Sequence, residues 1–336
     1  FLITDGIFMN TGTWGALPAP VLEALEAHMR AFATVFHQTP FDVHALRAQL
    51  ATLVGAPPET LAFTRNTTEG MNVVARGLDF QPGDEILLTT QEHVGGRCCW
   101  ELVAARHGLV LRQFPPPVPA PSEDALFEAW TSQVGPRTRV LSVQHVFFST
   151  GAIQPVQRLA AWARERGIIT VVDGAHPPGM LAVDIQRLGC DFYASSPHKW
   201  LLAPRGTGVV WGRADAWPAI RPTIPNFDPD GEAAFGAWIE RSPLPPTRAA
   251  FVSPGGFIAY EHQFAIADAL QIHRLLGRGR ITSRIHKLNS RLRRGLTRIP
   301  GVTLHTPAQT SLAAGIVCFE VAGFTPEAVV ARLAQR

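Results

Sequence analysis

The sequence predicts an α/β protein: a large domain on a mainly parallel seven-stranded sheet, followed by a small α+β C-terminal domain. Three observations carry this. Between Thr60 and Trp211, short β-rich apolar runs alternate with amphipathic stretches, the pattern of a parallel sheet covered on both faces. A Pro-rich stretch without clean periodicity, 218–254, then leads out of the sheet region. Beyond it lie long helical stretches and one strand, with no further alternation. The reading divides the chain into an N-terminal segment, 1–20, a large domain, 21–250, and a small domain, 251–336.

In chain order, a strand over 61–64 leads into a helix through 71–74, and a strand over 85–88 into a helix over 100–103. Strands follow at 140–143, 168–172, 191–193 and 208–211, with a helix at 156–166 between the first two. In the C-terminal part, helices are predicted over 257–276 and 285–296, a strand over 314–321, and a helix from near Thr325.

Composition excludes several classes. With 336 residues, 46% of them hydrophobic, the chain can bury a large core. Net charge is only +3, and the Arg-rich stretch 274–298 alternates with Ile and Leu at helical spacing, so it reads as solvated helix faces and not as a nucleic-acid surface. Apolar runs are strand-sized, far short of the roughly 20 residues that span a bilayer. The four cysteines, Cys98, Cys99, Cys190 and Cys318, show no CxxC spacing and read as free, mostly buried thiols, with no metal site. The chain starts at Phe1 without Met, which leaves the compartment open between the cytoplasm and, after removal of a leader, the periplasm.

The chemistry gathers at predicted strand ends. Asp173 closes an apolar strand, and Lys199 lies 26 positions on in Ser-Ser-Pro-His-Lys-Trp. A lysine amine can condense with the aldehyde of pyridoxal phosphate, and a carboxylate can keep its ring nitrogen protonated so that the ring accepts electrons. Arg65-Asn66-Thr67-Thr68-Glu69-Gly70 links a strand to a helix, placing Thr67, Thr68 and backbone N–H groups where a phosphate can sit; Thr67 alone reads equally well as a helix cap. His93 follows the second strand and can stack on a pyridine ring, while His176 lies three residues past Asp173 and can reach a second ring substituent. Ser196 and His198 add donors for the phosphate beside Lys199. Gly206-Thr207-Gly208 precedes a strand instead of joining strand to helix, which argues against a dinucleotide site.

This ordered set resembles the class V aminotransferase superfamily, the fold-type I pyridoxal phosphate enzymes, and the run from His198 to Gly208 looks most like its isopenicillin N epimerase-like branch. The resemblance spans nearly the whole chain. It implies Lys199 as the Schiff-base lysine, Asp173 as the ring-nitrogen partner, His93 as the stacking residue, Thr67, Thr68, Ser196 and His198 at the phosphate, and His176 near the phenolic oxygen. Asn10 and Arg205 are candidate substrate contacts. The resemblance further implies a homodimer with sites at the subunit interface and a small-molecule amino acid substrate.

Departures from the family pattern narrow the reading. Ser253-Pro254-Gly255-Gly256 stands where relatives often carry Gly-Thr, so a contact across subunits falls to Ser253 or to backbone. Phe148 stands where desulfurases often carry Asn, and Cys318 falls in an apolar predicted strand, away from a mobile loop. The reading is therefore an aminotransferase or epimerase-like tailoring enzyme acting at the α-carbon of an amino acid or amino-acid-containing metabolite, such as a siderophore or other secondary metabolite. Cysteine desulfurase or C–S lyase-like activity, and a non-catalytic binding protein on the same fold, are the alternatives.

Overall fold

The computed structural model describes residues 3, 6–34, 42–224, 226, 232–253 and 258–335. Seven strands form the central sheet: β1 (Leu61–Thr64), β2 (Glu85–Thr89), β3 (Val110–Phe114), β4 (Thr138–Gln144), β5 (Ile169–Asp173), β6 (Phe192–Ser195) and β7 (Gly208–Gly212). Their spatial order is β1-β7-β6-β5-β4-β2-β3. All neighbours pair in parallel except β7, which is antiparallel to β6 and to β1. Six strands thus end at one edge of the sheet, and β1, β2, β4, β5 and β6 send their following residues out there.

Alternation along the strands feeds two cores. Phe63, Leu87, Leu141, Val172 and Tyr193 enter one hydrophobic cluster, and Ala62, Ile86, Val140, Val171 and Phe192 enter the other. Both sides are buried, which is why these strands read as continuous apolar runs. The first core is closed by α1 (Ala19–Thr34) and α2 (Val43–Val54) through Val21, Leu46 and Leu50. The second is closed by α3 (Thr67–Gly77) and α4 (Val94–His107) through Met71, Val74, Trp100 and Val103. Trp130 of α5 (Glu123–Thr131), Leu159 of α6 (Val156–Arg164) and Ile185 of α7 (Ile185–Leu188) join the first core.

After β7 come α8 (Glu232–Glu240), α9 (Ala249–Val252), α10 (Tyr260–Phe264), α11 (Ile266–Leu276) and α12 (Arg278–Leu296). A separate antiparallel pair, β8 (Val302–Leu304) and β9 (Phe319–Val321), precedes α13 (Pro326–Leu333). No described helix is long and apolar enough to cross a membrane.

The predicted α/β fold with its mainly parallel seven-stranded sheet is present. Three details differ. β3 was not legible, because its edge position leaves Arg112 and Gln113 outward and dilutes the apolar signal. The strand expected over 314–321 shortens to Phe319–Val321, because the residues before it pair elsewhere: Ala314 N–H donates to Gly151 at 2.9 Å, and the side-chain amide of Asn289 donates to Ala314 O at 2.6 Å. Cys318 consequently lies half-buried outside a strand. The Arg-rich stretch is solvated at Arg280, Arg284, Arg291 and Arg294, yet Arg293 is buried, donating to Asn289, Pro307 and Ala308.

Candidate active site

Four strand ends, those of β1, β2, β5 and β6, bring most of the sequence candidates to one edge. At β1, Asn66 caps α3 by accepting the Glu69 N–H at 2.8 Å, which fixes the helix start facing the loop after β6. The Thr67 N–H then donates to Ser196 Oγ at 3.0 Å, and the Thr67 and Ser196 hydroxyls lie 2.7 Å apart. Two hydroxyls and a helix N-terminus converge, a donor set suited to a phosphate. Thr68 is exposed beside them, close to Gly95.

At β2, His93 caps α4, its Nδ1 accepting the Gly95 N–H at 3.0 Å. Its ring proton is thereby assigned to Nε2. Burial lowers the His93 pKa, with the Lys199 cation adding to the effect and Asp173 opposing it. Phe148, after β4, meets the His93 ring edge-on at 5.1 Å and an interplanar angle of 90°.

At β5, Asp173 is 3% exposed. Its Oδ1 accepts the Ala175 N–H at 3.0 Å. Burial raises its pKa, while the Ala175 N–H, Lys199 and His93 favour the charged form. Below it, His145 Nδ1 and the Tyr193 hydroxyl are 3.0 Å apart, both buried, and burial pushes His145 down to about 4. His176 Nδ1 accepts the Trp200 indole N–H at 3.2 Å, and burial, with the positive charge that Lys199 and His93 can carry, pushes it down to about 3.

At β6, the chain turns back toward antiparallel β7, and that turn carries His198 and Lys199. Lys199 N–H donates to Ser196 O at 3.1 Å, and burial lowers the pKa of its amine against the pull of Asp173. His198 Nδ1 lies 2.9 Å from Thr207 O, an acceptor, so Nδ1 carries the proton. Burial lowers its pKa as well.

Lys199, Asp173, His93 and His176 therefore act on one another electrostatically, with Thr67 and Ser196 bonded alongside. Asn10 and Arg205 are exposed: Asn10 accepts the Thr13 hydroxyl at 2.9 Å, and the Arg205 guanidinium lies 5.9 Å from the Trp14 ring centre. Ser253 is committed elsewhere, its hydroxyl accepting the Phe63 N–H at 2.6 Å, and Pro254, Gly255 and Gly256 lie outside the described residues. Sequence reasoning missed Glu92, Gly96 and Trp200. The signal for the first two was the dense Glu92-His93-Val94-Gly95-Gly96 run after a strand.

The residues fit pyridoxal phosphate. A β-carbon at Gly96 would lie 2.8 Å from Asp173 Oδ2, so glycine there keeps a space open against the carboxylate. A desolvated amine, a buried acid, an oriented imidazole and an anion cradle are the groups that cofactor needs.

Comparison with known proteins agrees. The sequence pattern of the Aminotransferase class-V family matches residues 16–336. An isopenicillin N epimerase of Amycolatopsis lactamdurans is 38% identical over 323 residues, covering 93% of this chain and 80% of that one. A probable cysteine desulfurase of Pseudomonas aeruginosa is 37% identical over 223 residues, covering 62% and 54%. A solved structure of a C-DES mutant, with glycine covalently linked to its pyridoxal phosphate cofactor, superposes with a TM-score of 0.85 at 27% identity, covering 98% of this chain and 87% of that one.

Proposed function

The chain belongs to the class-V aminotransferase family and is a pyridoxal phosphate-dependent enzyme; from that premise we propose that it moves a proton at the α-carbon of a small-molecule amino acid substrate, as an epimerase-like tailoring enzyme. The observation that carries this is the desolvated Lys199 amine beside Asp173. When bound, pyridoxal phosphate supplies an aldehyde that condenses with amines and a ring that accepts electrons from the Cα–H bond.

The protein's own residues do the rest. Lys199 Nζ, whose hold on a proton burial weakens, would take the α-proton, and inversion follows when a proton returns on the opposite face of Cα. The Asp173 carboxylate, with Oδ1 fixed by Ala175, would hold a proton at the ring nitrogen. His93, with Nδ1 fixed by Gly95, presents one ring face, and His176, fixed by Trp200, presents Nε2–H. Thr67, Thr68, Ser196 and His198 take the phosphate. Asn10 and Arg205 are retained as substrate contacts.

Three of the four thiols speak against desulfurase chemistry, which needs a reactive thiolate. Burial pushes Cys99 up to about 12 and raises Cys190 and Cys318 as well. Phe148 adds an apolar ring beside His93 where desulfurases often carry Asn.

The division at 1–20, 21–250 and 251–336 and a homodimeric assembly belong to the same proposal. The exposed Ile7 and Met9 near the start of the chain support a covered surface there. Incubation with a panel of amino acids and amino-acid-containing peptides in deuterated water tests the reaction. Deuterium at Cα with inversion supports it; keto acid or sulfide as the product overturns it.

A further inference from the structure

Glu92 is 6% exposed, and nothing in the mechanism above uses it. It sits just past β2, whose pairing with β4 stops at Leu87 and Leu141, although β2 continues to pair with β3 as far as Thr89 and β4 with β5 as far as Gln144 and Asp173. The strands therefore part at the edge that carries the site. The Glu92 carboxyl occupies this parting. Oε1 accepts the Thr89 hydroxyl at 2.9 Å, the backbone N–H groups of Thr89 and Gln144 face it, and Oε2 is buried with no hydrogen-bond partner.

Gln144, the Cα partner of Asp173 across β4 and β5, also receives the Phe148 N–H at 3.3 Å, and Phe148 is the residue edge-on to His93. Glu92 thus borders the supports of both Asp173 and His93.

Two buried carboxyls that act on one another electrostatically do not both ionise readily. We propose that Glu92 is a positioning residue for Asp173: a protonated carboxyl closing the gap between β2 and β4, so that Asp173 alone of the pair carries the charge. Burial and the neighbouring Asp173 raise the Glu92 pKa to about 8, against the Thr89 hydroxyl and the two backbone N–H groups. The other titratable groups around the pair are His93, Lys199, Cys99 and Tyr193, all of which act on Asp173 or are acted on by it. Burial lowers the His93 pKa from its ordinary range, so its change falls toward the acid end, away from pH 9.

The inference rests on the cofactor reading, and the test separates the two. The full chain, with and without added pyridoxal phosphate, is compared as wild type, Glu92→Gln and Glu92→Ala. An acid with a raised folded-state pKa stabilises the fold below its ordinary range, and that contribution is lost as pH rises through the raised value. The Tm of Glu92→Gln without cofactor should match wild type at pH 5 and exceed it at pH 9. Its cofactor affinity at pH 7 should stay within about threefold of wild type, whereas Glu92→Ala, which strands the Thr89 hydroxyl, should lose about tenfold or more. A Tm difference that is the same at both pH values, or equal affinity losses in the two variants, overturns the proposal. Failure of wild type to bind the cofactor sinks the functional reading, while the pH dependence of Tm still decides the charge of Glu92.

Discussion

Gly96 stands against Asp173 so closely that an added β-carbon would lie 2.8 Å from the carboxylate Oδ2. That oxygen has little room to retreat, because Oδ1 is fixed by the Ala175 N–H at 3.0 Å and the residue is buried. Gly96→Ala should therefore turn the acid away from the space where the ring nitrogen would sit. Expected is a loss of about tenfold or more in pyridoxal phosphate affinity, read by absorbance titration, about 1.4 kcal/mol or more. Affinity equal to wild type would show that the space at Gly96 is not part of the cofactor site.

The Lys199 amine should be reactive at a pH where ordinary lysines are protonated. Burial lowers its pKa from the ordinary 10.5, and the neighbouring Asp173 only partly restores it. Reductive methylation of cofactor-free protein across pH 7–11, followed by mass spectrometry of peptides, should label Lys199 at a lower pH than the exposed Lys287. Removing the carboxylate in Asp173→Asn should move the Lys199 midpoint lower still, since the one group favouring its charge is gone. Lys199→Ala should abolish the visible cofactor band.

The parts of this site that were legible in the sequence are those whose meaning is local. Asp173 and Lys199 each end or follow a β-rich run, so their placement at the carboxyl edge follows from strand prediction alone. Thr67 is read from its place at a strand-to-helix junction in the same way. Gly96 and Glu92 matter because of Asp173, about eighty residues later, and the run 92–96 marks a loop at a strand end without announcing that meeting. The strand expected over 314–321 failed for a similar reason: its first residues bond to Gly151 and Asn289, partners that only the tertiary fold supplies.

His198 carries a linkage between cofactor and proton. With Nδ1–H directed to Thr207 O at 2.9 Å, a neutral ring has only a lone pair at Nε2, which repels a phosphate. To donate there it must gain a second proton, against a burial that lowers its pKa. Pyridoxal phosphate binding near pH 7 should therefore take up a proton and weaken as pH rises. Calorimetry in buffers of different ionisation enthalpy measures this uptake. His198→Gln should reduce it, and pyridoxal without phosphate should show less in wild type. Equal uptake for both ligands would place the proton elsewhere.

Arg293 should matter for stability more than its neighbours on the same helix. It and Arg294 are indistinguishable by composition, yet Arg294 is exposed while Arg293 is buried, donating from Nε to Asn289 Oδ1 at 2.6 Å and from one terminal nitrogen to Pro307 O and Ala308 O at 2.7 Å each. These bonds tie α12 to the segment that follows β8, and Asn289 itself holds Ala314 O. Burial lowers the Arg293 pKa, a sign of incomplete compensation, but removal strands two carbonyls and the Asn289 amide oxygen. Hydrogen bonds to charged groups contribute about 1.5–3 kcal/mol, so Arg293→Ala should cost about 2–4 kcal/mol in chemical denaturation, and Arg294→Ala less than about 0.5. Arg293→Lys keeps the charge and loses the fork, and should recover less than half of the loss. Equal effects at 293 and 294 would mean that α12 is solvated on both faces, as its composition alone suggests.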